Sequence, residues 1–299
     1  MRLRSWDGTP DIRGAQTLAS RLWPHGPHPG GLGWDAATGQ MPATLIIADE
    51  KGVRGWAGLS GGELALHADP AIPEAARLLI DWAVQEADAP ELRVTVFDGG
   101  EVARQAVTRA GFALDPDAGP ATGMFRAASS EGPTLPEGYR IRSVRAGEFG
   151  ARVLVHRAAW RPMTLPWPGE VPAVVSAATT SSFTGQHYQQ VRSTWLYEQD
   201  MDLVVEAPDG TLAACCIAWW DPAQGCAEIE PLGVLPEHRR KGLASAMCRE
   251  VAARVAALGG THVFINIGPR PDYPAPAATY LTVGFEVVSR GRRYFRQLS

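Results

Sequence analysis

The chain has 299 residues and a formal net charge of −4; 45% of it is hydrophobic and 20% charged. Those are the proportions of a soluble globular protein with room for two domains. The acidic balance excludes a generic nucleic-acid or membrane-surface binder.

The start, Met1-Arg-Leu-Arg-Ser-Trp, has no apolar core behind its charges, so no signal peptide is expected. No apolar run approaches the ~18 residues of a membrane span, and the expected location is cytoplasmic. The apolar spacing of 12–22 predicts a helix closed by Pro24, and Pro24 to Gly33 reads as a loop. His25 and His28 have no carboxylate or cysteine partner nearby, so no metal site is expected there. Thr44 to Ala48, the turn Lys51-Gly52, and Val53 to Leu59 predict a hairpin. A strand at Glu63 to His67 follows, then a helix over 73–87, a buried strand from Leu92 and a helix over 102–110. Gly111-Phe112 ends that helix, and a short strand lies around Phe125. Residues 127–138 are small, polar and rich in Pro and Gly, and read as a domain linker.

The second half repeats this order. Tyr139 to Val144 predicts a strand and 146–160 a helix, then a Pro-rich loop and helical stretches reach Gln199. Asp202 to Ala207, the turn Pro208-Asp209-Gly210, and Thr211 to Trp220 predict a second hairpin. Gly52 falls on Gly210 and Gly111-Phe112 on Gly284-Phe285. Two copies are a tandem pair, not a solenoid, which needs at least ~3 units. Cys215, Cys216, Cys226 and Cys248 show no CxxC or Cys/His ligand spacing and read as reduced, buried thiols.

The chemistry concentrates between Glu228 and Ala246. Cys226 to Val234 predicts a strand on which Glu228, Glu230, Leu232 and Val234 share one face. Pro231 and Gly233 inside it predict a bulge or an edge. The basic run Arg239-Arg240-Lys241 then meets Gly242 and a helix running to about Leu258. Basic residues at a helix start oppose its dipole, so the joint reads as an anion cradle, with Gly242 letting the backbone approach. It is not a Walker A loop, because no Gly-Lys-Ser/Thr follows a distant first glycine.

Val-x-Pro-x-x-Arg-x-x-Gly-x-Ala, at Val234 to Ala244, resembles the acyl-CoA-binding motif of the GNAT superfamily of N-acetyltransferases. Downstream, Tyr280-Leu-Thr-Val-Gly284-Phe285 is similar to that family's Tyr-x-x-x-Gly-Phe signature. The resemblance covers roughly residues 140–299, and in tandem organisation the chain resembles mycothiol synthase-like members. It implies an α+β fold of two tandem GNAT-like domains, each a mixed, largely antiparallel sheet flanked by helices. Residues 1–126 would be a degenerate copy without the acyl-CoA loop, with Val107 at the position of Tyr280, and 139–299 the catalytic domain.

The resemblance also implies roles. Backbone groups of Leu232, Gly233 and Val234 would pair with the pantetheine arm of acetyl-CoA or a related acyl-CoA. The backbone of Arg239, Arg240, Lys241, Gly242, Leu243 and Ala244, with Ser245, would hold the pyrophosphate. Tyr280 would protonate the departing thiolate, and Glu228 or Glu230 would serve as base. Tyr273 stands where the family often has an Asn on the pantetheine, which leaves that contact open. The implied activity is N-acetylation of a small-molecule amine by direct transfer, with no metal, by a monomer or homodimer. A non-catalytic acyl-CoA binder and a protein acetyltransferase are the alternatives.

Overall fold

A computed structural model describes the chain except residues 25, 42, 161–163, 166–172, 175–180, 269–274 and 299. The first half runs β1 (Arg2–Ser5), α1 (Thr9–Leu22), α2 (Pro29–Ala37), β2 (Ala43–Asp49), β3 (Gly52–Ser60), β4 (Glu63–Ala68), α3 (Pro73–Glu86), β5 (Glu91–Phe97), α4 (Glu101–Arg109), β6 (Ala113–Leu114) and β7 (Ala121–Ala127). The second runs β8 (Arg140–Ser143), α5 (Phe149–Ala159), β9 (Thr164–Leu165), β10 (Ala173–Val174), α6 (Gly185–Ser193), β11 (Asp202–Glu206), β12 (Leu212–Asp221), β13 (Cys226–Val234), α7 (Leu243–Ala257), β14 (His262–Ile267), α8 (Ala275–Thr282) and β15 (Glu286–Gln297). Among the described residues no helix is long and apolar enough to cross a membrane.

The chain forms two compact units, 1–123 with 288–299, and 124–287. The last strand thus groups with the first unit, whereas the sequence reading placed it in the second domain. A strand's own sequence says that it is a strand, not which sheet edge will take it. Residues 127–138, read as the linker, group with the second unit. The Ala128 amide donates to the Thr261 carbonyl (2.8 Å), and Leu135 packs on the core of the second unit.

In the first unit the strands lie in the order β1-β2-β3-β4-β5-β15. Among the described residues of this unit only β4 and β5 pair in parallel, over Glu63 and Leu64. The amphipathic α3 buries Leu79 and Ile80 against Ile47, Leu92 and Val94. Each such side chain contributes about 1.5–3 kcal/mol. The loop expected over Pro24 to Gly33 is in part α2. The His28 imidazole caps it by accepting from the Gly30 amide (3.1 Å), and Pro29 follows as the first helical residue.

In the second unit the order is β7-β14-β13-β12-β11-β8, again mixed and largely antiparallel. Here β13 and β14 are the parallel pair, matched over Cys226 to Glu228. Helix α7 covers one face, where Met247, Val251 and Val255 pack with Cys216, Ala218 and Ile229. Helix α5 covers the other, where Val155 meets Val204 and Cys215.

Candidate active site

The bulge anticipated from Pro231 and Gly233 is present in β13, and it changes which side chains share a face. Ala218 pairs with Ile229 and Cys216 with Leu232, so two steps on β12 match three on β13. Leu232 and Val234 therefore follow Cys216 and Ala214 onto the α7 face, while Glu228 follows Trp219 onto the α5 face. The expectation that Glu228, Leu232 and Val234 share a face is thus corrected. Strict alternation fails at the extra residue. Glu230 sits within the bulge, half-buried, and its carbonyl accepts from Trp219 Nε1 (2.6 Å). Glu228 is 5% exposed.

The parallel pairing with β14 stops at Glu228, and a cleft of about 370 Å³ is lined by Leu232, Gly233 and Val234 of the strand beyond it. Arg239, Arg240, Gly242, Leu243, Ala244 and Ser245 form its second wall, and Ala275, Thr279 and Tyr280 of α8 its third. Ala159 and Trp160, at the end of α5, close it above Gly233. A Cβ on Gly233 would collide with the Trp160 ring and lie 2.7 Å from the Ala159 Cβ. This position thus needs glycine for space.

The loop into α7 is shaped for an anion. Gly242 is the N-cap, with φ 77°, and as a glycine it brings no side chain to cap the helix. The first turn carries no acidic residue, so its N–H groups and positive dipole end face the cleft uncompensated. Arg240 takes φ 63°, a left-handed conformation disfavoured for a side chain with a Cβ. The three basic residues do different things. Arg239 Nε donates to the Val234 carbonyl (3.2 Å) and Nη2 to the Ala159 carbonyl (2.9 Å), which ties the loop to β13 and α5. Lys241 Nζ donates to the Tyr139 hydroxyl (2.9 Å), which lies 2.9 Å from His238 Nδ1. Arg240 is exposed in the cleft wall.

Tyr280 is 8% exposed; its ring meets Phe285 edge-on at 5.6 Å while also lining the cleft. Glu228, Glu230 and Lys241 are not among the lining residues. Tyr273 lies outside the described residues. Sequence reasoning did not single out His238, Thr279 or Ala159 for this wall. Proximity to the motifs was the only available signal for them.

Next to Trp219, on the α5 face, lies a buried polar cluster. Arg152 Nε donates to Asp202 Oδ1 (2.9 Å), and the Tyr188 and Tyr197 hydroxyls donate to Asp202 Oδ2 (2.7 and 3.1 Å). Burial opposes the Arg152 charge, but Asp202 more than offsets this and holds the guanidinium protonated. Burial, then the Arg152 charge, push the His156 pKa down to about 3.

Residues 171–285 match the model of the Acetyltransferase (GNAT) family. No curated protein matches the chain. Among solved structures it is similar to a GCN5-related N-acetyltransferase from Sphaerobacter thermophilus, at 16% identity over 99% of this chain and 96% of that one, with a TM-score of 0.57. A GNAT-family acetyltransferase from Colwellia psychrerythraea is similar at 13% identity over 99% and 100%, TM-score 0.58. So is a tandem GNAT protein from the clavulanic acid biosynthesis pathway, at 12% identity over 100% and 98%, TM-score 0.56. The chain is built on the GNAT fold, and within it residues 171–285 match the acetyltransferase (GNAT) family model.

Proposed function

We propose that the second unit binds acetyl-CoA in the cleft between β13, α7 and α8 and transfers its acetyl group to a small-molecule amine. The observation that carries this is the convergence of two features on one cleft. One is a bulged strand edge left open beyond Glu228, and the other is a glycine-led helix start with no cap and no acid. An extended amide-bearing arm fits the first, and a pyrophosphate fits the second.

On this reading the backbone of Leu232 to Val234 holds the pantetheine arm. The Arg240 to Ser245 segment holds the pyrophosphate. The amine nitrogen bonds to the acyl carbon and the carbon–sulfur bond breaks. A strand carboxylate, Glu228 or Glu230, takes the proton from the amine, directly or through water, and Tyr280 returns one to the thiolate. The first unit holds no acyl-CoA. Its crossover helix α3 begins with Pro73 and Glu74, which places an acid in the first turn where α7 has none.

Calorimetric titration with acetyl-CoA tests this, with one site per chain expected. No binding, or two sites, refutes it. A screen of primary amines with detection of released CoA then follows. Tyr280→Phe should bind CoA normally and turn over ten- to a hundredfold more slowly. Of Glu228→Gln and Glu230→Gln, the one that removes the base should lower kcat by a similar factor. Normal turnover in all three variants sinks the assigned chemistry.

A further inference from the structure

We propose that Trp219 is a positioning residue for this acetyl transfer: its indole N–H holds the Glu230 carbonyl and thereby fixes the β13 bulge that presents Leu232 to Val234. The proposal rests on the reading that this strand edge receives the acyl-CoA.

A bulge takes backbone groups out of the ladder, and Pro231, within this one, has no N–H to offer. Between the pairs Ala218–Ile229 and Cys216–Leu232 the strand lacks regular cross-strand support. A side-chain bond from β12 spans the gap, Trp219 Nε1 to the Glu230 carbonyl at 2.6 Å. The indole that makes it is fixed in turn. Trp219 is 0% exposed. Its ring meets Tyr197 edge-on at 6.4 Å, and the Tyr197 hydroxyl is held by Asp202, itself paired with the buried Arg152. A rigid chain therefore runs from α5 through β11 and β12 to the bulge. Its last link lies two residues before Leu232, on the strand and not on the Gly242 to Ser245 wall. Loss of that link should disturb the reacting end and spare the affinity supplied by Gly242 to Ser245.

The test compares Trp219→Phe with Trp220→Phe, which removes an indole from the same strand on its opposite, α7 face. In Trp219→Phe, amide hydrogen exchange over 229–234 should quicken at least tenfold. Its kcat should fall about tenfold or more, with the CoA dissociation constant within threefold. Trp220→Phe should leave the exchange and the kcat within twofold. Unchanged exchange, unchanged kcat, or an equal loss in Trp220→Phe overturns the proposal while leaving the acyl-CoA reading intact. A wild-type protein that does not bind acetyl-CoA overturns that reading and the positioning role with it. If Trp219→Phe does not fold, the wild-type indole decides. A Trp219 N–H exchanging as fast as an exposed indole refutes the clamp.

Discussion

Gly233→Ala isolates the packing over the cleft. The glycine's backbone is not in the left-handed region, so alanine is conformationally admissible. Such a substitution ordinarily stabilises by about 0.4–1 kcal/mol, through the unfolded state. Space reverses the sign here. The new methyl would overlap the Trp160 Cζ3, lie 2.7 Å from the Ala159 Cβ and lie 3.0 Å from the Trp160 Cη2. Neither neighbour is the free end of a flexible chain. Overpacking of this kind costs about 1–3 kcal/mol. For a unit of this size each kcal/mol moves Tm by roughly 2–4 °C, so a fall of about 2–12 °C is expected. Thermal melts of wild type, Gly233→Ala, Trp160→Ala and the double variant complete a cycle. The double variant should recover part of the loss, with a coupling above about 0.5 kcal/mol. The Gly233→Ala affinity for CoA should also weaken, because the displaced backbone lines the cleft. A melt equal to wild type, or a coupling near zero, would refute the steric argument.

Gly242→Ala is the converse case. Its Cβ meets nothing within 4 Å, but φ is 77°, so the cost is conformational, about 1–2 kcal/mol. Calorimetry should show weaker CoA binding, and an unchanged affinity would contradict the loop's assigned role. All four cysteines are buried, and burial raises every thiol pKa, that of Cys248 to about 12. A thiol reagent at pH 8 should therefore label none of them in the native protein and all four after denaturation. His156 links stability to pH. Its folded pKa of about 3 lies below the ordinary 6.5, so between those values the unfolded chain binds a proton that the folded one does not. Stability is full above pH 6.5 and falls as pH drops toward 3, with about 2 kcal/mol lost at pH 5. Denaturant titrations at pH 7 and pH 5 should show that loss shrinking in His156→Gln, and an identical loss in the variant would exclude His156 as its source.

Much of the fold was legible because turn chemistry and periodicity are local. Lys51-Gly52 and Pro208-Asp209-Gly210 marked both hairpins, and Gly242 marked the start of α7. Helix α2 was missed because Pro29-Gly-Gly-Leu-Gly has poor helix propensity, and its cap comes from a histidine rather than Ser, Thr, Asp or Asn. Which side chains of β13 shared a face was not legible. A bulge can be suspected from Pro231 and Gly233, but its position depends on the register against β12. The fate of the basic run was equally non-local. Ala159 and Tyr139, which take the side chains of Arg239 and Lys241, lie 80 and 102 residues away in the sequence.

The two units put their difference at one joint. In each, a strand pairs briefly in parallel with the next, β4 with β5 and β13 with β14, and a helix makes the crossover. In the first unit only residues 69–72 separate strand from helix. Asp69 accepts from the Ala71 amide (3.0 Å) and from Arg54 (3.0 Å). Pro73 offers no N–H, and Glu74, paired with Arg77, stands in the first turn, where the dipole favours negative charge. The joint of the first unit thus carries its own carboxylates, Asp69 in the loop and Glu74 in the first turn. In the second unit residues 235–242 make the connection, long enough for the arginine-bearing turn and its left-handed Arg240 and Gly242. Neither helix has a capping N-cap side chain, but no acid enters the first turn of α7. A helix start left in that condition, at the wall of a cleft, is stabilised by whatever anion reaches it. On the proposed reading, the same fold would yield an inert joint or a ligand site according to where the negative charge comes from, the chain itself or a bound phosphate.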